Sequence, residues 1–300
     1  MKIKLDFLKH KNIILAISLI IVAAGLIYGF VTGYVFDIDF KGGTRIQVDL
    51  NEEYNVSDIK SIVEGVCKQV PETQSNSSGN NTVTITTQVI SEEESNAIVD
   101  ALKEKYPNMG DATVKNVQAS YGKELVNTAI IAVVVSIILL LVYVAIRFKA
   151  LGYTAAISAV LALIFDVCFL LAVYGVFKFP INSTFVAVIL TIIGYSINDT
   201  IIVYDRIREN RRIVTKSNDV KDVINTSISQ TLNRTIVTSL TTLSAICIVL
   251  IYALVKDQET LKQFSLPLTI GVAEGTLSSI FIATNIWYTI DKLVKKNKKA

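Results

Sequence analysis

Residues 189–212 read ILTIIGYSINDTIIVYDRIRENRR, and this stretch decides the fold. It begins as an apolar run suited to a bilayer, yet Asn198 and Asp199 stand inside that run. A carboxylate on a membrane helix costs roughly 2.5–3.5 kcal/mol on insertion scales, so such residues are rare and face a bundle interior or a water path. Beyond Tyr204 come Asp205, Arg206, Arg208, Glu209, Arg211 and Arg212, the kind of charged exit that marks the positive, inner side of a membrane. At a rise of ~1.5 Å per residue, Asp199 lies ~9 Å inside that exit.

Working outward, the whole chain has the same character. Its 300 residues are 51% hydrophobic, with a mean hydropathy of +0.50, too apolar for a water-soluble domain of this length. The pattern predicts a polytopic α-helical membrane protein: six transmembrane helices, with one small α+β extracytoplasmic domain between the first and second. The expected segments are a basic cytoplasmic head (1–12), a first span (13–33) and the external domain (34–124). Further spans are expected at 125–146, 151–177, 181–204, 235–255 and 264–290, with a charged cytoplasmic connection at 205–234 and a basic tail at 291–300. In the connection, Val220, Val223, Ile224, Ile228 and Leu232 share one helical face, which predicts an amphipathic helix lying on membrane lipids at the inner interface. Seventeen Lys and Arg fall in the candidate inside segments and three in the short outside turns. That bias places both termini in the cytoplasm and the domain outside, in a cell (inner) membrane. No cleavable signal peptide is expected, since the first apolar run is long enough to span and lacks a cleavage site.

The external domain reads as three alternating strands, 44–50, 82–90 and 112–119, with two helices, 57–70 and 91–106. Ser57 is the expected N-cap of the first helix, and SEEE at 91–94 is a capping-box opening for the second. Residues 73–81 (TQSNSSGNN) read as a loop, and the sequons at Asn76 and Asn80 as products of loop composition. Gly42-Gly43 reads as a tight turn into the first strand.

The buried charges carry the chemistry. Asp199 is read as a carboxyl that loads and releases a proton; the alternative is a carboxylate that only ties helices together. Tyr195 and Ser196 lie at i−4 and i−3 and share its face, where a water chain would join them. Thr231, Arg234, Thr235, Thr238 and Thr242 fall three and four apart and form a hydroxyl stripe around one guanidinium. The fourth and fifth spans run in opposite directions, so Asp199 and Arg234 both belong to the inner half of the bilayer. The alternative for Arg234 is a snorkelling side chain. Asp205, among arginines, reads as an interface salt bridge. Asp166 is a further intramembrane acid, read either as part of a relay or as structural. Glu274, between Gly271 and Gly275, is expected in the outer half, facing a partner or external water.

Gly194-Tyr195-Ser196-Ile197-Asn198-Asp199-Thr200, followed by Tyr204-Asp205-Arg206-Ile207-Arg208-Glu209-Asn210, resembles the fourth-helix signature of the SecF family. Phe36–Thr44 (FDIDFKGGT) resembles a motif shared by SecD and SecF. Asn233-Arg234-Thr235 with Thr238-Ser239 fits the family's fifth-helix pattern. The resemblance implies an auxiliary, non-enzymatic subunit of the Sec protein-export machinery. It would act with a SecD-like six-span subunit beside the Sec translocon channel and use the proton-motive force to assist a translocating preprotein. Protons are then the coupling ion and no cofactor is needed. Asp199 and Arg234 become the proton relay, with Asn198, Tyr195, Ser196, Thr200, Thr235, Thr238 and Asp166 in support. Two departures stand out: the third helix carries Phe165-Asp166 where relatives often have His-Asp, and Glu274 interrupts the small-residue face of the sixth. The competing readings are a proton-coupled small-molecule or lipid exporter of the same resistance-nodulation-division superfamily, and a non-transporting scaffold.

No P-loop, dinucleotide fingerprint or HExxH motif is present, and nothing points to nucleic acid. The single histidine, His10, lies in the basic head, and Cys67, Cys168 and Cys247 form no disulfide or metal pattern.

Overall fold

The computed structural model describes residues 6–68, 71–75, 82–148, 151–213, 220–256 and 258–297. Residues 76–81, which hold both sequon asparagines, lie outside the described residues, as do residues 1–5 of the basic head and the last residues of the tail.

The first long helix is α1 (Lys11–Thr32). A single turn, α2 (Ile38–Lys41), leads into the α+β domain. There β1 (Gly43–Asp49), α3 (Val56–Cys67), β2 (Glu72–Ser75), β3 (Thr82–Thr87), α4 (Glu92–Lys105) and β4 (Thr113–Val117) follow in order. The sheet order is β2-β3-β1-β4, with every neighbouring pair antiparallel. β1 is central, and its Ile46 stands opposite both Ile85 and Val114. Alternation buries Ile46, Val48, Val83 and Ile85 against Ile59 and Val63 of α3 and Ile98 and Leu102 of α4. The capping box at Ser91 and Glu94 is formed on both sides.

Two local expectations are corrected. The N-cap of α3 is Asn55, whose side chain accepts from the Ser57 amide at 2.9 Å. Residues 73–75, expected in a loop, belong to edge strand β2. TQS carries no apolar alternation to betray a strand; its order comes from backbone pairing to β3, from Glu72 opposite Thr86 to Ser75 opposite Val83.

After the domain come α5 (Ala119–Arg147), α6 (Tyr153–Phe177), α7 (Ser183–Ile213) and α8 (Val220–Val255). The sixth crossing is α9 (Glu259–Leu277), a π-helical turn at Ser278–Ala283, and α10 (Thr284–Asn297). Among the described residues, six helices are therefore long and apolar enough to cross a membrane. α6, α7 and the sixth crossing supply most of the buried core, while α1, α5 and α8 lie at the rim with apolar outer faces. α1 lies close against α6 through small residues: a Cβ added to Gly175 would come 2.7 Å from the Cα of Gly29, and one added to Gly25 2.7 Å from the Cβ of Ala172. Lipid gives no hydrophobic drive for helix pairing, so close backbone approach of this kind holds a rim helix in place.

The segment expected to lie on the inner interface instead continues the fifth crossing without a break. Its apolar face, Val223, Ile224 and Ile228, joins the core that also contains Ile207 and Trp287. The C-terminal part of α7 and the N-terminal part of α8 are zipped together: Arg206 Nε donates to Gln230 Oε1 at 2.6 Å, and Asn210 Nδ2 to Ser227 Oγ at 2.8 Å. A packed protein face outcompetes lipid for the same apolar stripe because it also satisfies these polar groups. Asp205 forms the salt bridge expected of it, 2.7 Å from Arg147 and 2.8 Å from Arg208.

Candidate functional site

The site begins where the α+β domain meets the bundle. Asp37 caps α2 by accepting from the Ile38 amide at 2.7 Å, and it pairs with Arg45 of β1. Gly42 has φ +79°, and a Cβ there would stand 2.8 Å from Ala119 at the start of α5. The Gly42-Gly43 turn expected from sequence is thus also a close approach to that helix, which no side chain would permit. Asp39 joins three elements. It accepts from Lys115 of β4 at 2.7 Å, and from the Ser183 hydroxyl and amide at the N-terminus of α7 at 2.6 and 3.2 Å. Burial pushes the Asp39 carboxyl up, but the Lys115 and Ser183 hydrogen bonds outweigh it and hold the group below the usual carboxylate range. A carboxylate at a helix N-terminus also meets the positive end of the helix dipole. The helix so anchored is the one that carries Asp199.

Asp199 is 0% exposed, and neither of its carboxylate oxygens has a hydrogen-bond partner. The charge of Arg234 on α8 reaches it through space, but among the described residues the two close no hydrogen-bonded pair. Arg234 is exposed at the surface of the single chain, and so is Asn198. Thr200 is buried beside Asp199 in sequence, and Thr235 is buried with an unpartnered hydroxyl. The hydroxyl stripe of α8 divides: Thr231 and Thr235 face the core, Thr238 and Thr242 are half-buried, and Thr238 donates to the Arg234 carbonyl at 2.9 Å.

Tyr195 and Ser196 do not bond Asp199. Tyr195 Oη donates to Ser239 Oγ at 2.9 Å, and Ser239 meets Thr276 of α9 at 2.8 Å. Ser196 Oγ donates instead to Asp166 Oδ2 of α6 at 2.5 Å. Glu274 neither faces outside water nor leaves the bundle; it lies against Asp166. Sequence reasoning named Ser239 only within a motif and missed its bonds to Tyr195 and Thr276, the Asp166–Glu274 pairing and the Asp39–Ser183 anchor. Ser239 was within reach, since it sits at i+4 from Thr235. The others depend on which helices become neighbours. Among the described residues no group of acids, His and Cys is arranged to hold a metal ion.

A bundle of six membrane-crossing helices, with an α+β domain after the first and carboxyls buried at its centre, defines a multi-pass membrane protein with ionisable groups at its core. Residues 97–293 match the family described as protein export membrane protein SecD/SecF, C-terminal. The chain is 34% identical to the protein translocase subunit SecF of Sebaldella termitidis, over 98% of this chain and 94% of that one. It is 35% identical to that of Borreliella burgdorferi, over 97% and 99%. With the fused subunit SecDF of Bacillus subtilis it shares 33% identity over 95% of this chain but 38% of that one. The crystal structure of SecDF, a translocon-associated membrane protein, from Thermus thermophilus superposes with a TM-score of 0.82 at 28% identity, over 97% of this chain and 40% of that chain. The chain belongs to the SecD/SecF family and spans nearly the full length of its SecF members.

Proposed function

We propose that this chain is an auxiliary subunit of the Sec export machinery that works with a SecD-like six-span partner and couples the proton-motive force to preprotein translocation. The observation that carries the reading is Asp199: fully buried on a helix long enough to span, with both oxygens unpartnered and a guanidinium standing off on the adjacent helix. Burial and a nearby cation act on a carboxyl in opposite directions, so its proton affinity depends on helix separation. Deprotonated, Asp199 attracts Arg234; protonated, it releases it. One charge crossing 100 mV yields about 2.3 kcal/mol, enough to bias such a step. Thr200, Thr235 and Thr238 supply hydroxyls around the pair, and membrane lipids surround the rim helices.

The partner follows from Asn198 and Arg234. Both are exposed on the single chain at the depth of the buried acid, where a bare guanidinium against lipid is costly. A second six-span unit covers them, as the fused SecDF relatives suggest by carrying much more chain than this one. The Lys and Arg bias supports cytoplasmic termini in the cell membrane and an external domain placed to meet the preprotein beside the translocon channel. No chemical step on a substrate is invoked.

The test is export of a secreted substrate into vesicles holding the chain with its partner and the translocon, with and without an uncoupler. Asp199→Asn matches the protonated carboxyl in volume. It is expected to leave membrane levels unchanged and to remove the gradient-stimulated part of export, a loss of tenfold or more. Full gradient stimulation in that variant sinks the assignment.

A further inference from the structure

The reading of Asp199 and Arg234 leaves two buried acids unused. Asp166 is 1% exposed, and Glu274 is largely enclosed. They come from α6 and α9 and lie in contact in the middle of the bundle, with Ser278 beside them. Ser196 satisfies one oxygen of Asp166. Asp166 Oδ1, Glu274 Oε2 and Ser278 Oγ are buried, and none of the three has a hydrogen-bond partner. Among the described residues neither acid forms an ion pair with Lys or Arg.

Within about one turn of the pair, few other titratable groups stand on the surrounding helices. α7 carries Tyr195 and Asp199, and Tyr195 is committed to Ser239. α6 carries Cys168, two residues on. α8 presents hydroxyls, the π-helical turn presents Ser278, and α1 presents Ile14 and Ser18 across a cleft of about 710 Å³ that Glu274 lines. Among the described residues no cation is paired with either acid.

Two ionised carboxylates have only acceptors to offer each other. In a site with little water and no cation they repel, and such pairs keep one proton between them. With one proton bound, the protonated acid donates to the other, and the unpartnered oxygens acquire a bond. We propose that Asp166 and Glu274 form a second proton-binding site in this chain, one proton held between two carboxyls. Ser196 connects it to the helix of Asp199. Ser196 precedes Asp199 by three residues, so the pair lies about 4.5 Å further from the inner face, roughly one turn. Of the two acids, Glu274 is the one that lines the cleft beside α1. The π-helical turn begins at Ser278; π turns inside membrane helices often mark functional sites, and here the turn places a hydroxyl on the pair.

The proton on this pair is independent of the role of Asp199 and is read without export. The probe is infrared spectroscopy of the full-length chain in proteoliposomes at neutral pH, in an Asp199→Asn background that removes that acid. The expected result is a protonated-carboxyl band that shifts on transfer to deuterium oxide. Glu274→Gln should abolish it, because Asp166 keeps the Ser196 donor, gains an amide donor and ionises. Asp166→Asn serves as the second variant, and should move the band because the proton then donates to an amide oxygen. No band at neutral pH overturns the proposal, as does a band that neither substitution alters. Loss of the band on adding sodium ions at fixed pH also overturns it, since the pair would then be a metal-cation site.

Discussion

Asp199 was legible from sequence because a carboxylate inside an apolar run has few uses, and the charged exit beyond Tyr204 fixed its depth. Its surroundings were not legible. Helical spacing gave Tyr195 and Ser196 the same face as Asp199, but a face on one helix does not say which neighbour it meets. Ser196 meets Asp166 and Tyr195 meets Ser239. For Arg234, lysine keeps the charge and loses the planar fork. Arg234→Lys should therefore lower gradient-stimulated export only several-fold, whereas Arg234→Ala should lower it as far as Asp199→Asn does; equal loss in both Arg234 variants would show that charge alone is not what matters. Asp39 makes a pH prediction. Its folded-state pKa lies below the unfolded value, about 3.9. Its contribution is therefore fully present above that value and is lost as pH falls through the folded one. Measured against its intrinsic rate, which itself slows in acid, amide exchange at the start of α7 should stay protected down to about pH 4 and quicken below it. Asp39→Ala should quicken it at neutral pH as well, by the about 1–3 kcal/mol of a buried group losing its partner.

At the scale of elements, the long spans and the two amphipathic helices of the external domain were readable because each has an apolar face of the right period. β2 was not, since its order comes from backbone pairing to β3 and not from its side chains. The inner part of α8 shows the limit of periodicity from the other side. Its apolar stripe was correctly seen, but a stripe fits lipid and protein equally, and here it packs on protein. The contact of α1 with α6 rests on Gly25, Gly29 and Gly175, residues without a side chain to signal burial. Gly175→Val should push these helices apart, since the backbone of Gly29 cannot yield as a side chain would. A cost of about 1–3 kcal/mol is expected from overpacking, read as a lowered midpoint of thermal unfolding in detergent; an unchanged midpoint would mean that α1 is held elsewhere.

At the scale of the whole molecule, orientation is the first thing to check. With the native cysteines replaced, Glu104→Cys and Asp222→Cys place single thiols on the external domain and on the inner end of α8. A membrane-impermeant reagent added to intact cells should label the first and spare the second. A photoreactive residue in place of Gly194, which has no neighbouring atom within 4 Å where a Cβ would stand, should give one discrete cross-linked product with the partner; lipid adducts alone would contradict a covered face. The zipped inner ends of α7 and α8 bear on how far a small event travels. Hydrogen bonds at Arg206–Gln230 and Asn210–Ser227 act as a fulcrum. Asp199 sits on the short arm above it, and Ser183, bound to Asp39 of the external domain, sits at the far end of the same rigid rod. The two arm lengths, about 10–16 Å and about 35–40 Å at the helical rise, stand in a ratio of roughly three to one. If α7 pivots there as a rigid rod, a displacement of about 1 Å at the protonated acid becomes about 3 Å at the foot of the domain outside.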